Sequence, residues 1–194
     1  MHRKKLNIFC FISTYDRDYI KNLDKEVNII FRNYKKLQNI NELKALKNFC
    51  KSINKKVFLA NNMKLALTLK FNGVYIPSFN KQINFTMNKN LKNFTILGSA
   101  HSIKEIKEKE RQGVGVIFIS PIFEVDKSNK FLGVQKFNFL SLTTNNKVIA
   151  LGGFNNSNIK KLNFIKASGF AGISYFKKKR PHKGPFKYFK SLLN

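Results

Sequence analysis

Residues 102–120 read SIKEIKEKERQGVGVIFIS, and how they are read decides the fold. Ser102 stands where a helix N-cap belongs, and Glu105 occupies the capping-box place three residues on. Apolar residues spaced among charges then predict an amphipathic helix over 102–112. From residue 114 the pattern becomes VGVIFIS, an apolar run with no polar residue at every second place. A strand with one wet face would alternate. This one predicts burial on both faces, the mark of a parallel sheet covered by helices.

The same two patterns recur along the chain in both directions. Strand-like runs are expected at 6–13, 26–32, 56–60, 73–77, 94–99, 114–120, 147–151 and 169–176. Helical spacing is expected at 16–23, 39–54, 62–71 (with Asn61 as its cap), 102–112 and 157–168, with a helix or turn at 136–144. A last helical segment, PFKYFKSLLN, follows at 185–194. About eight strands alternating with helices, and no break in composition, predict one domain over 1–194. An open doubly wound sheet and a closed barrel both fit. The strand number favours a compact (β/α)8 TIM barrel of parallel strands. In either, ligands bind at the carboxyl ends of the strands, so the residues just after each run are where function belongs.

Composition narrows the classes further. The 194 residues are 43% hydrophobic, enough for one core. No apolar stretch reaches membrane-spanning length, so no membrane partner is expected. The start, MHRKKLNIFCFIST, has a basic head, but its apolar part is short, broken by Asn7, and lacks a small-residue cleavage site; it reads as a first strand. Cys10 and Cys50 lie far apart with no metal-ligand spacing, which fits two core thiols and a reducing, cytoplasmic setting. The net charge of +27 favours anionic partners. Lysine is spread over nearly every segment, alongside abundant Asn, Ile and Phe, so a chain-wide bias with solvated helix faces explains more of it than a dedicated nucleic-acid surface does. Only YFKKKRPHKGPFKYFK, residues 175–190, gathers basic and aromatic residues into a local patch.

Three strand ends stand out chemically. VIALGGFNNSNIKKL (148–162) ends an apolar run on Gly152 and Gly153. Two residues without Cβ let an anion approach the main chain, and free amides at the start of a following helix add to the attraction; a plain strand-to-helix turn is the alternative. ILGSAHS carries Ser99 and His101, the one histidine away from the chain ends. An imidazole there can move a proton near neutrality or simply bond the loop, and Ser99 can bind substrate or cap a turn. Arg32, a rare arginine among lysines, offers a planar fork suited to phosphate.

In order, FRNYK, LANN, GVYIPSFN, ILGSAHS, ISPIF, ALGGFNNSN and SGFAGIS resemble the strand ends of the thiamine-phosphate synthase family and its relative the thiazole tautomerase. The resemblance covers strands 2 to 8, with GVGVIFISPIF, VIALGGFNNSN and ASGFAGIS its most diagnostic pieces. It implies a small (β/α)8 barrel on which a pyrimidine diphosphate and a thiazole phosphate join, with loss of pyrophosphate. It implies that Gly152, Gly153 and Ser174 hold the thiazole phosphate, Arg32 and Ser99 the diphosphate, and that Lys127 reaches phosphate from the loop after strand 6. It assigns His101 to proton transfer, as in the tautomerase. Magnesium is also implied, but the two aspartates expected to hold it fall on Asn61 and Asn80, and no acidic residue occurs between Glu42 and Glu105. The expected partners are therefore phosphorylated small molecules. A metal-free tautomerase, a phosphate-ligand binder and a basic nucleic-acid-binding protein are the alternatives.

Overall fold

The computed structural model describes residues 6–34, 39–83, 93–126 and 129–177. Eight parallel strands close into a barrel in simple sequence order, with β1 returning to pair with β8. They are β1 Asn7–Ile12, β2 Val27–Phe31, β3 Val57–Ala60, β4 Gly73–Ile76, β5 Thr95–Ala100, β6 Val116–Ile119, β7 Lys147–Leu151 and β8 Gly169–Gly172. The helices are α1 Arg17–Asn22, α2 Ile40–Ser52, α3 Met63–Thr68, α4 Ile103–Arg111, α5 Gly133–Ser141 and α6 Ser174–Lys177. A 3-10 segment, Ile159–Phe164, stands between β7 and β8. The expected (β/α)8 barrel is the fold observed.

The unbroken apolar runs are explained by two cores. Alternate residues point inward: Phe9, Phe11, Ile30, Phe58, Tyr75, Leu97, Phe118 and Ile149 fill the barrel. Their neighbours Cys10, Ile29, Leu59, Val74, Ile117 and Val148 face the helices, where Leu43, Leu46 and Cys50 of α2 and Ile106 of α4 meet them. Each fully buried large side chain contributes roughly 1.5–3 kcal/mol over its exposed state. Inside, the rings of Phe9, Phe11, Tyr75 and Phe118 meet edge to face at centroid distances of 5.0–6.1 Å. They form a solid floor beneath the mouth. The period of two that packs these rings also carries Arg32, Ser99 and Ser120 to the inner rim.

Several local expectations change. Asn62, not Asn61, caps α3, because its side chain accepts from the Leu65 amide while Asn61 takes a left-handed φ of 59°. The segment 136–144 resolves as a helix that starts earlier, at Gly133. The helix expected over 157–168 is a 3-10 segment. Asn155 takes the Ser157 and Asn158 amides with its own side chain, which makes a tight Asx turn rather than an open helix start. The last strand stops at Gly172, and α6 begins where it was expected to continue. Cys10 and Cys50 are buried free thiols, as expected, and burial pushes both up to about 11.

Candidate functional site

The carboxyl ends of the strands present two neighbourhoods. The first lies over β7 and β8. Gly153, Asn156, Ser157 and Ser174 line one cavity of about 430 Å³, together with Glu124 and Asp126 from the loop after β6. The two turns singled out in sequence therefore face the same space. Gly152 and Gly153 have φ of 95° and 74°, a region that strains any residue with a Cβ. The reason for glycine is more specific than an approaching anion. A Cβ on Gly153 would stand 2.4 Å from the Phe123 carbonyl oxygen and 2.5 Å from that of Glu124, so the β6 loop itself occupies that side. Gly152 is less crowded, its nearest neighbour being the Pro121 side chain at 3.2 Å.

The supply of amides is smaller than a helix start would give. Asn155 takes those of Ser157 and Asn158, and Asn158 fixes the turn by donating to the Gly153 carbonyl at 2.7 Å. The amides of Gly153, Phe154 and Ile173 donate to no acceptor among the described residues. They remain available to a ligand, with the Ser174 hydroxyl beside them. Lys127, expected to reach this cup, lies outside the described residues, as do Lys35 and the basic tail from residue 178 on.

The second neighbourhood spans β2 to β6. Arg32 follows β2; its amide donates to the Ile12 carbonyl at 2.7 Å and its guanidinium lies 4.9 Å from the Phe11 ring. Among the described residues it has no carboxylate partner. Beside it Tyr34 meets Phe79 edge to face at 5.4 Å, both rings largely exposed. Burial raises the Tyr34 phenol, while the Arg32 charge works the other way.

His101 is held from three sides. Its Nδ1 lies 2.6 Å from the Ser120 carbonyl oxygen, which can only accept, so Nδ1 carries the ring proton. Nε2 then keeps its lone pair and faces the Ser78 hydroxyl at 3.1 Å. The His101 amide donates to Glu105 at 2.6 Å, so the capping-box carboxylate reaches one residue further back than expected. Asn61 and Asn80 also meet: the Asn80 amide donates to the Asn61 side-chain oxygen at 2.7 Å.

Ser99 lies near the end of β5, on the inner rim. It is buried and hydrogen-bonded to the Tyr75 phenol. Burial raises that phenol and the Ser99 bond opposes the rise. Ser99 thus supports the floor of the site, and its hydroxyl already has a partner. The sequence reading passed over Ser78, Ser120 and Lys109. The first two follow strand ends and were legible as positions. Lys109 carried no signal, because a lysine in a charged helix reads as solvated.

The family profile described as thiamine monophosphate synthase matches residues 22–176. A thiamine-phosphate synthase of Prochlorococcus marinus is 34% identical over 140 residues, 71% of this chain and 40% of that protein. The chain thus spans well under half of that relative. A protein of Aquifex aeolicus with the provisional name thiamine-phosphate synthase 2 is 32% identical over 165 residues, 83% of this chain and 76% of its own. Among solved structures, a thiamine phosphate pyrophosphorylase of Pyrococcus furiosus superposes with a TM-score of 0.76 at 17% identity, over 98% of this chain and 96% of that one. That likeness shows the shared fold.

Proposed function

The chain belongs to the thiamine monophosphate synthase family, and from that premise we propose that its barrel mouth joins a hydroxymethylpyrimidine diphosphate to a thiazole phosphate. The observation that carries this reading is the single cavity shared by the Gly153 and Ser174 turns, where the Gly153 and Phe154 amides have no acceptor among the described residues. Arg32, across the mouth, serves the diphosphate. Its fork rests against the Phe11 ring, which limits the ordering left when oxygens bind. The thiazole nitrogen attacks the pyrimidine methylene carbon, the carbon–oxygen bond to the diphosphate breaks, and pyrophosphate carries away the electron pair. Arg32 stabilises the charge that gathers on the departing group, and the cup fixes the nucleophile by its phosphate. Tyr34 and Phe79 bound the space between.

Magnesium is the metal the family implies, and the donor set does not suit it. A hard cation prefers carboxylate oxygen. The two positions in question are amides that already bond each other, and the described residues hold no cluster of three or more His, Cys, Asp or Glu. No step is routed through a metal here. A second reading, the thiazole tautomerase, draws on His101: Nδ1–H is tied to Ser120, which leaves Nε2 as a base that Ser78 can feed or relieve of a proton.

The deciding experiment incubates the protein with both precursors, with and without magnesium, and follows thiamine phosphate. Product with or without added magnesium supports the synthase. No product, together with proton exchange on a thiazole carboxylate phosphate, supports the tautomerase. Neither, with thiazole phosphate still bound, leaves a binder. A steep salt dependence of nucleic-acid binding without any of these would favour the nucleic-acid reading.

A further inference from the structure

We propose that Lys109 is a positioning residue that holds the loop after β4 from beneath, and so sets the places of Ser78 against His101 and of Asn80 against Asn61. Lys109 sits on α4 and is fully buried. Its Nζ donates to the carbonyls of Pro77 and Asn80 and to the Gln112 side-chain oxygen, each at 2.8 Å. Gln112, itself buried, donates to the carbonyls of Asn80 and Gln82, each at 2.9 Å. Pro77, Asn80 and Gln82 all belong to the one loop. Its inner face is main-chain oxygen converging on two side chains of α4.

The outer face of the same loop carries the contacts of the site. Ser78 reaches His101 Nε2, Phe79 meets Tyr34, and Asn80 bonds Asn61. The residues that touch the mouth, 78 to 80, are thus bracketed by the carbonyls of Pro77 and Gln82, and Asn80 belongs to both faces. A buried charge costs several kcal/mol of desolvation, and an apolar side chain of the same length would avoid it. What the apolar residue could not do is satisfy three inward oxygens at once, and an ammonium has three donors for the three acceptors. Without it, the oxygens must turn to water, and the loop turns with them. An order that a bound cation would impose on this loop from the site side is imposed here by a tethered cation from the helix side. Burial pushes the ammonium down to about 8, and the Glu108 and Glu105 carboxylates oppose the fall.

The test is Lys109→Met, which keeps length and removes the donors. Two readouts are followed: the imidazole nitrogen chemical shifts of His101, assigned against His101→Gln, and steady-state kinetics. The expected result is a displaced Nε2 signal, because Ser78 no longer stands opposite it. With it, kcat is expected to fall roughly 10–100-fold, the scale of a misplaced catalytic contact. KM for the thiazole phosphate should stay within about twofold, because Lys109 does not reach the β7–β8 cup. A folded variant with His101 signals at their original positions overturns the proposal. Should Lys109→Met fail to fold, Gln112→Leu removes two of the four bonds to the loop and retains the ammonium; a smaller displacement of the same signal is expected, and none overturns the proposal. Only the kinetic arm rests on the synthase reading. If the unaltered protein forms no product, that reading fails, while the His101 signal still decides the role of Lys109.

Discussion

Replacing Gly153 with alanine separates two reasons for a bare turn. The new Cβ falls 2.4–2.5 Å from the Phe123 and Glu124 carbonyl oxygens, well inside van der Waals contact, and both are main-chain atoms that no rotamer change can move aside. The φ of 74° adds the cost of a left-handed conformation, about 1–2 kcal/mol for a residue with a Cβ. Overpacking adds about 1–3 kcal/mol. The sum is about 3 kcal/mol, which for a chain of this size lowers the melting temperature by roughly 6–12 °C. Gly152→Ala bears the backbone cost with a contact of only 3.2 Å to a side chain, so it should lose about half as much. Urea denaturation of the three proteins measures this, and calorimetric titration with thiazole phosphate runs alongside. If the glycine admits the β6 loop, stability and phosphate affinity fall together, because the loop forms one wall of the cup. A Gly153→Ala protein as stable as the original, with only its affinity reduced, would refute the packing argument and return the turn to the anion alone.

Three further outcomes are expected. Changing Asn61 and Asn80 together to Asp replaces an amide hydrogen bond by facing carboxylates; the melting temperature should drop by an amount matching about 1–3 kcal/mol in chelator and recover on adding magnesium, and a melt indifferent to magnesium would show that the two side chains do not meet. On the tautomerase reading, His101→Ala should reduce proton exchange on a thiazole carboxylate phosphate roughly 100-fold or more with little effect on urea stability, because the residue is exposed and its main chain keeps the Glu105 bond. Lys109 gives a pH signature of its own: its folded value near 8 lies below the ordinary 10.5, so the unfolded chain binds the extra proton between those values and stability rises with pH across that window. Relative to Lys109→Met the gain should reach up to about 3 kcal/mol in urea titrations from pH 7.5 to 10.5, and a flat difference would place the ammonium's value at the ordinary one.

The barrel was legible because parallel strands packed on both faces must be apolar throughout, and VGVIFIS or KVFLA cannot be read otherwise. The cap at Ser102 was legible from local pattern: a side-chain oxygen stands just before a helical period. The 3-10 segment after β7 was not. Asn155, Ser157 and Asn158 look like a helix start in sequence, and only the fold shows that they bond one another. In the site, His101 was legible as a residue just past a strand end, while Asn61 and Asn80 were singled out only through the family resemblance. Ser99 was legible as a strand-end residue, but its bond to Tyr75 was not, because that ring sits on another strand. Lys109 is the clearest failure. Spacing gives a helix its faces, but it does not say that one lysine on the inner face will find three carbonyls waiting.

The ring-packed interior has a consequence for traffic. With Phe9, Phe11, Tyr75 and Phe118 interlocked across the axis, the described barrel is stoppered at its centre, and anything that enters the mouth has to back out the same way. On the proposed reading, both phosphorylated guests share that single doorway, and product must leave by the side its precursors entered.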